Sequence, residues 1–469
     1  MMQGLFFEGK HEQQCVFDRY YRTNPFQGGY TVVAGLEHLI DYVHNIHFSD
    51  DDLAYLKSTG FFQDKFLDYL KDLRFTGDIY AMPEGTVAFP QEVLLRVQTK
   101  KDEALLLETC MSMIMNHESL IATKARRVRT VAGKDNLMEF GLRRAQGKSA
   151  GVYGARSAMI GGFNGTSNVL AGAKFGMPVL GTMAHSWVMS FSSELEAFRA
   201  YARQYPNNLI LLADTYNTLK QGVPDAITIF KEMKAAGTLP KAYGIRLDSG
   251  DLAYLSKEAH KMFADAGFPD AIIAASNDLD ENLISELKAQ GCAINSWGVG
   301  TNLITAKDSP SLGGVFKLVG QYDDGKFVPK IKMRDNAEKI SNPGLKYFLR
   351  IYDKDTGKMK ADIIILEGES IDESKDLLLQ SDKAPWRSRT IPGGTYRVQK
   401  MLVPIFQKGE LVYQKPDLKT IMAYADQQVQ TLWPEYLRLV NPEEMWVQRS
   451  SKLSALRDKV LKEESAHFF

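Results

Sequence analysis

The sequence predicts an α/β chain. An irregular (β/α) barrel occupies residues 126–340, and a mixed α+β domain is built from an N-terminal segment, 1–125, and a C-terminal segment, 341–469, that packs on it. Three observations predict this. From about residue 150, short β-branched runs recur roughly every 20–35 residues, each closed by a polar or glycine-rich turn and followed by a helical stretch, the pattern of parallel βαβ units. The first 110 or so residues and those after about 340 mix strand and helix signals without that rhythm. Finally, a chain of 469 residues that is 44% hydrophobic and 24% charged is long and apolar enough to bury a large core.

Taken in order, Val32–Ile46 has helical apolar spacing, with Leu36, Leu39, Ile40 and Val43 on one face. Asp78–Gln98 reads as short strands broken by Pro83-Glu84-Gly85 and by Pro90. Glu103–Val128 is a long methionine-rich helix whose methionines read as core filling. The barrel strands are PVLG from Pro178, LILL from Leu209, YGIRL from Tyr243, AIIAA from Ala271, INSWGV from Ile294 and GVFKLVG from Gly314. AITIFKEMKAAG and LAYLSKEAHKMFADAG are helices between them. KISNPGLKYFLRIYD and KMKADIIILEGES suggest a small β-rich portion, and a helical tail follows.

Composition removes several classes of function. Lys plus Arg number 57 and Asp plus Glu 57, so the net charge is zero. A general nucleic-acid binder carries an excess of cations, although a local basic pocket remains allowed. The three cysteines, Cys15, Cys110 and Cys292, lie far apart with no CxxC, which points to reduced thiols and a cytoplasmic protein. The N-terminus shows no cationic segment followed by an apolar run, and the longest apolar stretches are strand-length, so neither a signal peptide nor a membrane span is expected.

In parallel βαβ architectures chemistry collects in the loops after the strands. GTMAHSW places His185 there, either as a satisfied core histidine or as a base or phosphoryl acceptor. In YGIRLDSGD, Arg246 sits within a strand that otherwise looks buried and so needs an anion, from the protein or from a ligand. Asp248 at the strand end suits ribose hydroxyls or a magnesium-bound diphosphate, while Asp-Ser-Gly-Asp also reads as a helix N-cap turn. SWGVGTN brings Gly298, Gly300 and Thr301, whose backbone N–H groups can approach a phosphate or simply make a tight turn. Asn277 and Asp278 form a similar turn one unit earlier, and Asp214 ends another strand, where it reads as a helix cap. Arg126, Arg127, Arg129, Lys134, Arg143 and Arg144 form a basic run that includes a solvated helical face. His44 and His47 have i, i+3 spacing but no evident third ligand, so a surface turn is the simpler reading. The residues alone point to a phosphorylated sugar ligand accompanied by Mg²⁺.

Together the motifs resemble the nicotinate phosphoribosyltransferase family, whose fold is the type II phosphoribosyltransferase barrel. The carrying segments are Tyr21–Glu37, Glu139–Gly147, Gly162–Val188, Gly244–Leu252, Asn295–Leu303 and Lys339–Gly344, in order along nearly the whole chain. The resemblance implies transfer of phosphoribosyl from phosphoribosyl pyrophosphate to nicotinate, coupled to ATP hydrolysis, with Mg²⁺ on the diphosphate and a homodimer completing the site. It assigns His185 as a transiently phosphorylated histidine, Thr182 and Arg246 as nicotinate contacts, Phe140 as a ring-stacking aromatic and Asp248 as a ribose-side acid. It assigns Arg143, Asn277, Asp278, Gly298, Gly300 and Thr301 to phosphoribosyl binding, with Lys307 and Lys317 reaching phosphates, either within one chain or across a dimer interface. Ser167 stands where nicotinamide-using relatives carry an acid, which favours a carboxylate substrate. The resemblance also implies an Asp-x-Tyr segment just upstream of Met1–Phe7, with a tyrosine stacking on nicotinate. The sequence starts within that region, so a start set too far downstream, or a shortened chain, is expected. The rivals are a quinolinate or nicotinamide phosphoribosyltransferase and a non-catalytic sugar-phosphate sensor, which would need the anion turns but no reactive histidine. An aldolase-type barrel lacks its strand-end lysine here.

Overall fold

The computed structural model describes residues 1–333, 340–380 and 386–466. The chain divides into two units, one of residues 1–120 with 311–469 and one of residues 121–310.

The first unit is built on a seven-stranded antiparallel sheet in which Gln14–Tyr21 lies between Gly314–Asp323 and Leu95–Lys100. The predicted helix is Leu36–His44, and its four apolar residues are buried as the spacing requires. Pro83 and Gly85 interrupt the strands Asp78–Ala81 and Val87–Ala88 as expected. The long helix runs Lys101–Ala132; its Met111 and Met115 fill the core, whereas Met113 is 61% exposed. A four-stranded sheet, containing Lys346–Asp353 and Met359–Leu366, packs Ile351, Ile363, Ile365 and Tyr396 into a second core. Each such fully buried large apolar side chain contributes about 1.5–3 kcal/mol. Between these strands the buried Arg350 guanidinium grips Asp362 through two nitrogens, at 2.9 and 2.8 Å.

The second unit is a curled six-stranded parallel half-barrel. Its strands are β1 (Asn136–Glu139), β2 (Gly165–Thr166), β3 (Leu209–Leu212), β4 (Tyr243–Leu247), β5 (Ile272–Ala275) and β6 (Ser296–Val299), hydrogen-bonded in the order β2-β1-β6-β5-β4-β3. The strands are buried hydrophobic runs because helices cover a parallel sheet. The helices used below are α1 (His185–Met189), α2 (Glu194–Gln204), α3 (Val223–Ala235), α4 (Leu252–Asp265) and α5 (Glu281–Ala289).

Two expected barrel strands differ. PVLG contributes only a parallel bridge from Val179 to Thr166, since Pro178 has no N–H to extend a ladder. GVFKLVG lies in the antiparallel sheet of the first unit, where Gly314–Asp323 pairs with Gln14–Tyr21. A strand's pattern states that it pairs, not with which partner.

Candidate active site

All six strands of the half-barrel are parallel, so their carboxyl ends share one edge. Neighbouring strands are about 4.8 Å apart, and the residues after them line up in sheet order. Ser167 follows β2, Phe140 follows β1, and Gly300 and Thr301 follow β6. Next come Asn277 and Asp278 after β5, Asp248 after β4 and Asp214 after β3.

Asp214 ties three of these loops together. One oxygen lies 3.3 Å from Nε2 of His185, the first residue of α1. The other accepts the backbone N–H of Asp248 at 2.8 Å and the Ser249 hydroxyl at 2.6 Å. The Asp214 side chain is only 2% exposed while that of His185 is 39% exposed, so a buried carboxylate presents an accessible imidazole. Asp248 in turn accepts a hydrogen bond from the Ser276 hydroxyl at the end of β5. Asp214 thus orients the histidine instead of capping a helix; the N-cap roles fall to Asp251 for α4 and Asp280 for α5.

Arg246 reaches from β4 into the same loops. Its Nη2 donates to the Met183 carbonyl at 3.2 Å, two residues before His185, and the Thr182 hydroxyl donates to the same oxygen at 3.4 Å. Its Nε is buried without a hydrogen-bond partner. Burial lowers the guanidinium's pKa, while Asp248 and Asp214 raise it. A cation with an unused donor is what a ligand carboxylate needs.

Phe140 and Ser167 are braced by Glu139. This buried side chain accepts the Gly141 N–H and the Thr166 hydroxyl, and its backbone carbonyl accepts the Ser167 N–H at 3.0 Å. Burial raises its pKa, the hydrogen bond from Thr166 opposing. The Phe140 ring lies flat enough on β6 that a Cβ added at Gly298 would meet its Cδ2 at 2.6 Å, so glycine makes room for the ring. Asn277 and Asp278 both have positive φ, 92° and 32°. Non-glycine residues adopt that conformation at a cost, and it concentrates at binding sites. Asn302 holds the turn by donating to the Asp278 carbonyl at 2.6 Å.

The chain matches the model described as "Nicotinate phosphoribosyltransferase (NAPRTase) family" over residues 136–318. The models for the N-terminal and C-terminal domains of nicotinate phosphoribosyltransferase match residues 1–116 and 345–457. A nicotinate phosphoribosyltransferase of Bacillus subtilis is 42% identical over 444 residues, covering 95% of this chain and 89% of the relative. The chain belongs to the nicotinate phosphoribosyltransferase family. The crystal structure of human nicotinic acid phosphoribosyltransferase superposes with a TM-score of 0.85 at 29% identity, covering 98% of each chain. The crystal structure of a nicotinate-nucleotide pyrophosphorylase from Pyrococcus furiosus, 20% identical with a TM-score of 0.68 over 92% of each chain, shares the fold.

The remaining family residues divide between the two units. Arg143 is exposed just beyond β1, on a single 3₁₀ turn where a helix was expected, and acts electrostatically on Arg246. Lys307 lies 3.7 Å from Asp280 and is half exposed. Lys317 belongs to the other unit, in the strand Gly314–Asp323. Lys339 of the KISNPG segment lies outside the described residues. The basic run before β1 is partly structural: Arg127 bonds Glu281 at 2.7 Å, and Arg129 holds the Gly162 and Asp135 carbonyls. His44 and His47 are exposed, as a surface turn requires. Sequence reasoning missed the orienting role of Asp214 and the bracing role of Glu139. The signal for Asp214 was its place at a strand end beside His185 in the order of loops. Among the described residues no group of three or more His, Cys, Asp or Glu side chains is arranged to hold a metal ion, and no helix is long and apolar enough to cross a membrane.

Proposed function

We propose that this chain transfers phosphoribosyl from phosphoribosyl pyrophosphate to nicotinate, forming nicotinate mononucleotide and pyrophosphate in NAD salvage, with ATP hydrolysis coupled through His185. The observation that carries the reading is the hydrogen-bonded group of His185, Asp214 and Asp248 at one sheet edge, with Arg246 held on the Met183 carbonyl two residues before the histidine. It offers a nucleophile, a cation and an acid to ligands in one place.

The nicotinate carboxylate pairs with the Arg246 guanidinium, its ring stacks on Phe140, and Thr182 and the uncharged Ser167 complete the ring's surroundings. The ring nitrogen then attacks C1 of the ribose, the bond from C1 to the pyrophosphate oxygen breaks, and pyrophosphate leaves with the electron pair. The protein's work is positioning and charge stabilisation. Asp248 accepts ribose hydroxyls, and the turns at Asn277, Asp278, Gly300 and Thr301 offer backbone N–H groups to phosphate oxygens, with Arg143 and Lys307 as cations; Gly298, expected in such a turn, lies inside β6 beneath Phe140 instead. Mg²⁺ belongs to this reading as the counterion carried in on the substrate diphosphate, held mostly by substrate oxygens and water.

ATP enters at His185. Asp214 holds Nε2, leaving Nδ1 as the nucleophile toward the γ-phosphorus. The reading includes a homodimer, on family likeness, and a cytoplasmic setting, which the free thiols Cys15, Cys110 and Cys292 support. Incubation with γ-labelled ATP followed by peptide mapping tests it. Acid-labile, base-stable label on His185 is expected, and His185→Ala should lose ATP stimulation while retaining slow uncoupled transfer. Equal ATP coupling in variant and parent would remove His185 from this role.

A further inference from the structure

Glu194 opens α2, and its side chain is fully buried at 0% exposure. Neither carboxyl oxygen has a hydrogen-bond partner. A buried carboxylate without a donor is costly, and such a group normally stays protonated. Burial pushes the Glu194 pKa up to about 7, and the charges of Asp225 and Asp214 push it the same way.

Its surroundings leave little to neutralise a charge. α2 packs on α1, on β3, on the turn Thr218–Gly222 and on α3. From β3 the facing group is Asp214, which carries the contact to His185 of α1. From α3 it is Asp225, raised by burial and opposed by the charge of Arg199 of α2, whose guanidinium is engaged 2.6 Å from Glu232 of α3. Lys220 of the turn is exposed, and Glu196 of α2 accepts from Ser192 at the surface. Two acids, Asp225 and Asp214, thus act on the buried Glu194, and one of them, Asp214, is the partner of His185.

Resting on the reading that His185 accepts phosphate, we propose that Glu194 is a positioning residue for that step. As a neutral acid it leaves Asp214 as the charge facing His185; as a carboxylate it adds a negative charge that turns the incoming γ-phosphoryl group away. In the step itself Nδ1 of His185 bonds to the γ-phosphorus and the bond from that phosphorus to the bridging oxygen breaks. ADP leaves with the electron pair, and the Nε2 proton stays shared with Asp214. The phosphoryl group brings further negative charge, which favours the protonated form of Glu194 and ties phosphorylation to proton uptake.

The test is single-turnover phosphorylation of the full chain by γ-labelled ATP across the range from about pH 6 to about pH 9. In the parent the rate falls on the alkaline side as Glu194 ionises. Glu194→Gln is neutral throughout, so that fall disappears, and the ratio of the rate at about pH 8.5 to that at about pH 6.5 rises about tenfold over the parent's, the scale of one poorly screened charge. Superposable profiles, or a parent profile flat above neutrality, overturn the proposal. Asp225→Asn is a second variant away from the ligand loops. It removes one cause of the raised pKa, so the alkaline limb moves to lower pH, and an unmoved limb also overturns the proposal. A purely structural Glu194 would change thermal stability and leave the shape of the profile alone. A parent that takes up no phosphate at His185 defeats the proposed function itself, whereas a phosphorylated parent with unchanged variant profiles defeats only the role of Glu194.

Discussion

Gly298→Ala tests whether Phe140 is the surface on which the substrate ring rests. The added Cβ would meet Cδ2 and Cε2 of Phe140 at 2.6 and 2.7 Å. Carbon atoms settle about 3.5–4.0 Å apart, so the ring must withdraw by about 1 Å. The backbone cannot follow, because the Phe140 N–H is bound to the Val299 carbonyl at 2.9 Å in the adjoining strand. The overpacking costs about 1–3 kcal/mol of stability. A displacement of about 1 Å in a positioning group costs up to about 100-fold in rate. Initial rates measured against each substrate should therefore show nicotinate kcat/KM lowered about 10–100-fold, with the KM for phosphoribosyl pyrophosphate within about twofold of the parent. Phe140→Ala removes the clash, so in that background Gly298→Ala should add little, a non-additivity expected of residues in contact. Parent-like nicotinate kcat/KM in Gly298→Ala, or simple addition of the two effects, would refute the reasoning.

The other predictions concern substrate choice and the anchoring of the half-barrel. On the proposed placement of nicotinate, Ser167→Asp sets a carboxylate against the substrate's own, so nicotinate kcat/KM should fall about tenfold or more while nicotinamide is not penalised; unchanged nicotinate kinetics would count against the placement. Glu281 is 1% exposed and bridges Lys124 at 2.8 Å and Arg127 at 2.7 Å. Removing the shared partner of buried charges costs about 3–5 kcal/mol, so calorimetry of Glu281→Ala should show a Tm lowered by roughly 6–20 °C, and a shift under about 3 °C would show the pairs contribute little.

Local chemistry was legible where it acts over a turn or two. The helix Leu36–His44 follows from four apolar residues at helical spacing, and Asp251 and Asp280 cap helices as Asp does at a strand-to-helix turn. The ends of β4, β5 and β6 carried their Asp, Asn and Gly residues into the expected loops. Partnership across the chain was not legible. Asp214 looked like a cap, and only the fold sets it against His185, 29 positions away, and against the Asp248 backbone, 34 positions away. Arg127 read only as one member of a basic run, yet it is buried on Glu281, 154 positions away.

By itself, then, the sequence determined the alternation of strands and helices and which loops carry acids, glycines and the histidine, because those follow from backbone propensity and short-range hydrogen bonding. The tertiary structure alone decided that Gly314–Asp323 leaves the parallel series for an antiparallel sheet. It alone set the strand order that lines Ser167, Phe140, Gly300, Asn277, Asp248 and Asp214 along one edge, and buried Glu194 without a donor. Strand pairing and desolvation depend on which distant segments meet, and no local pattern encodes the partner.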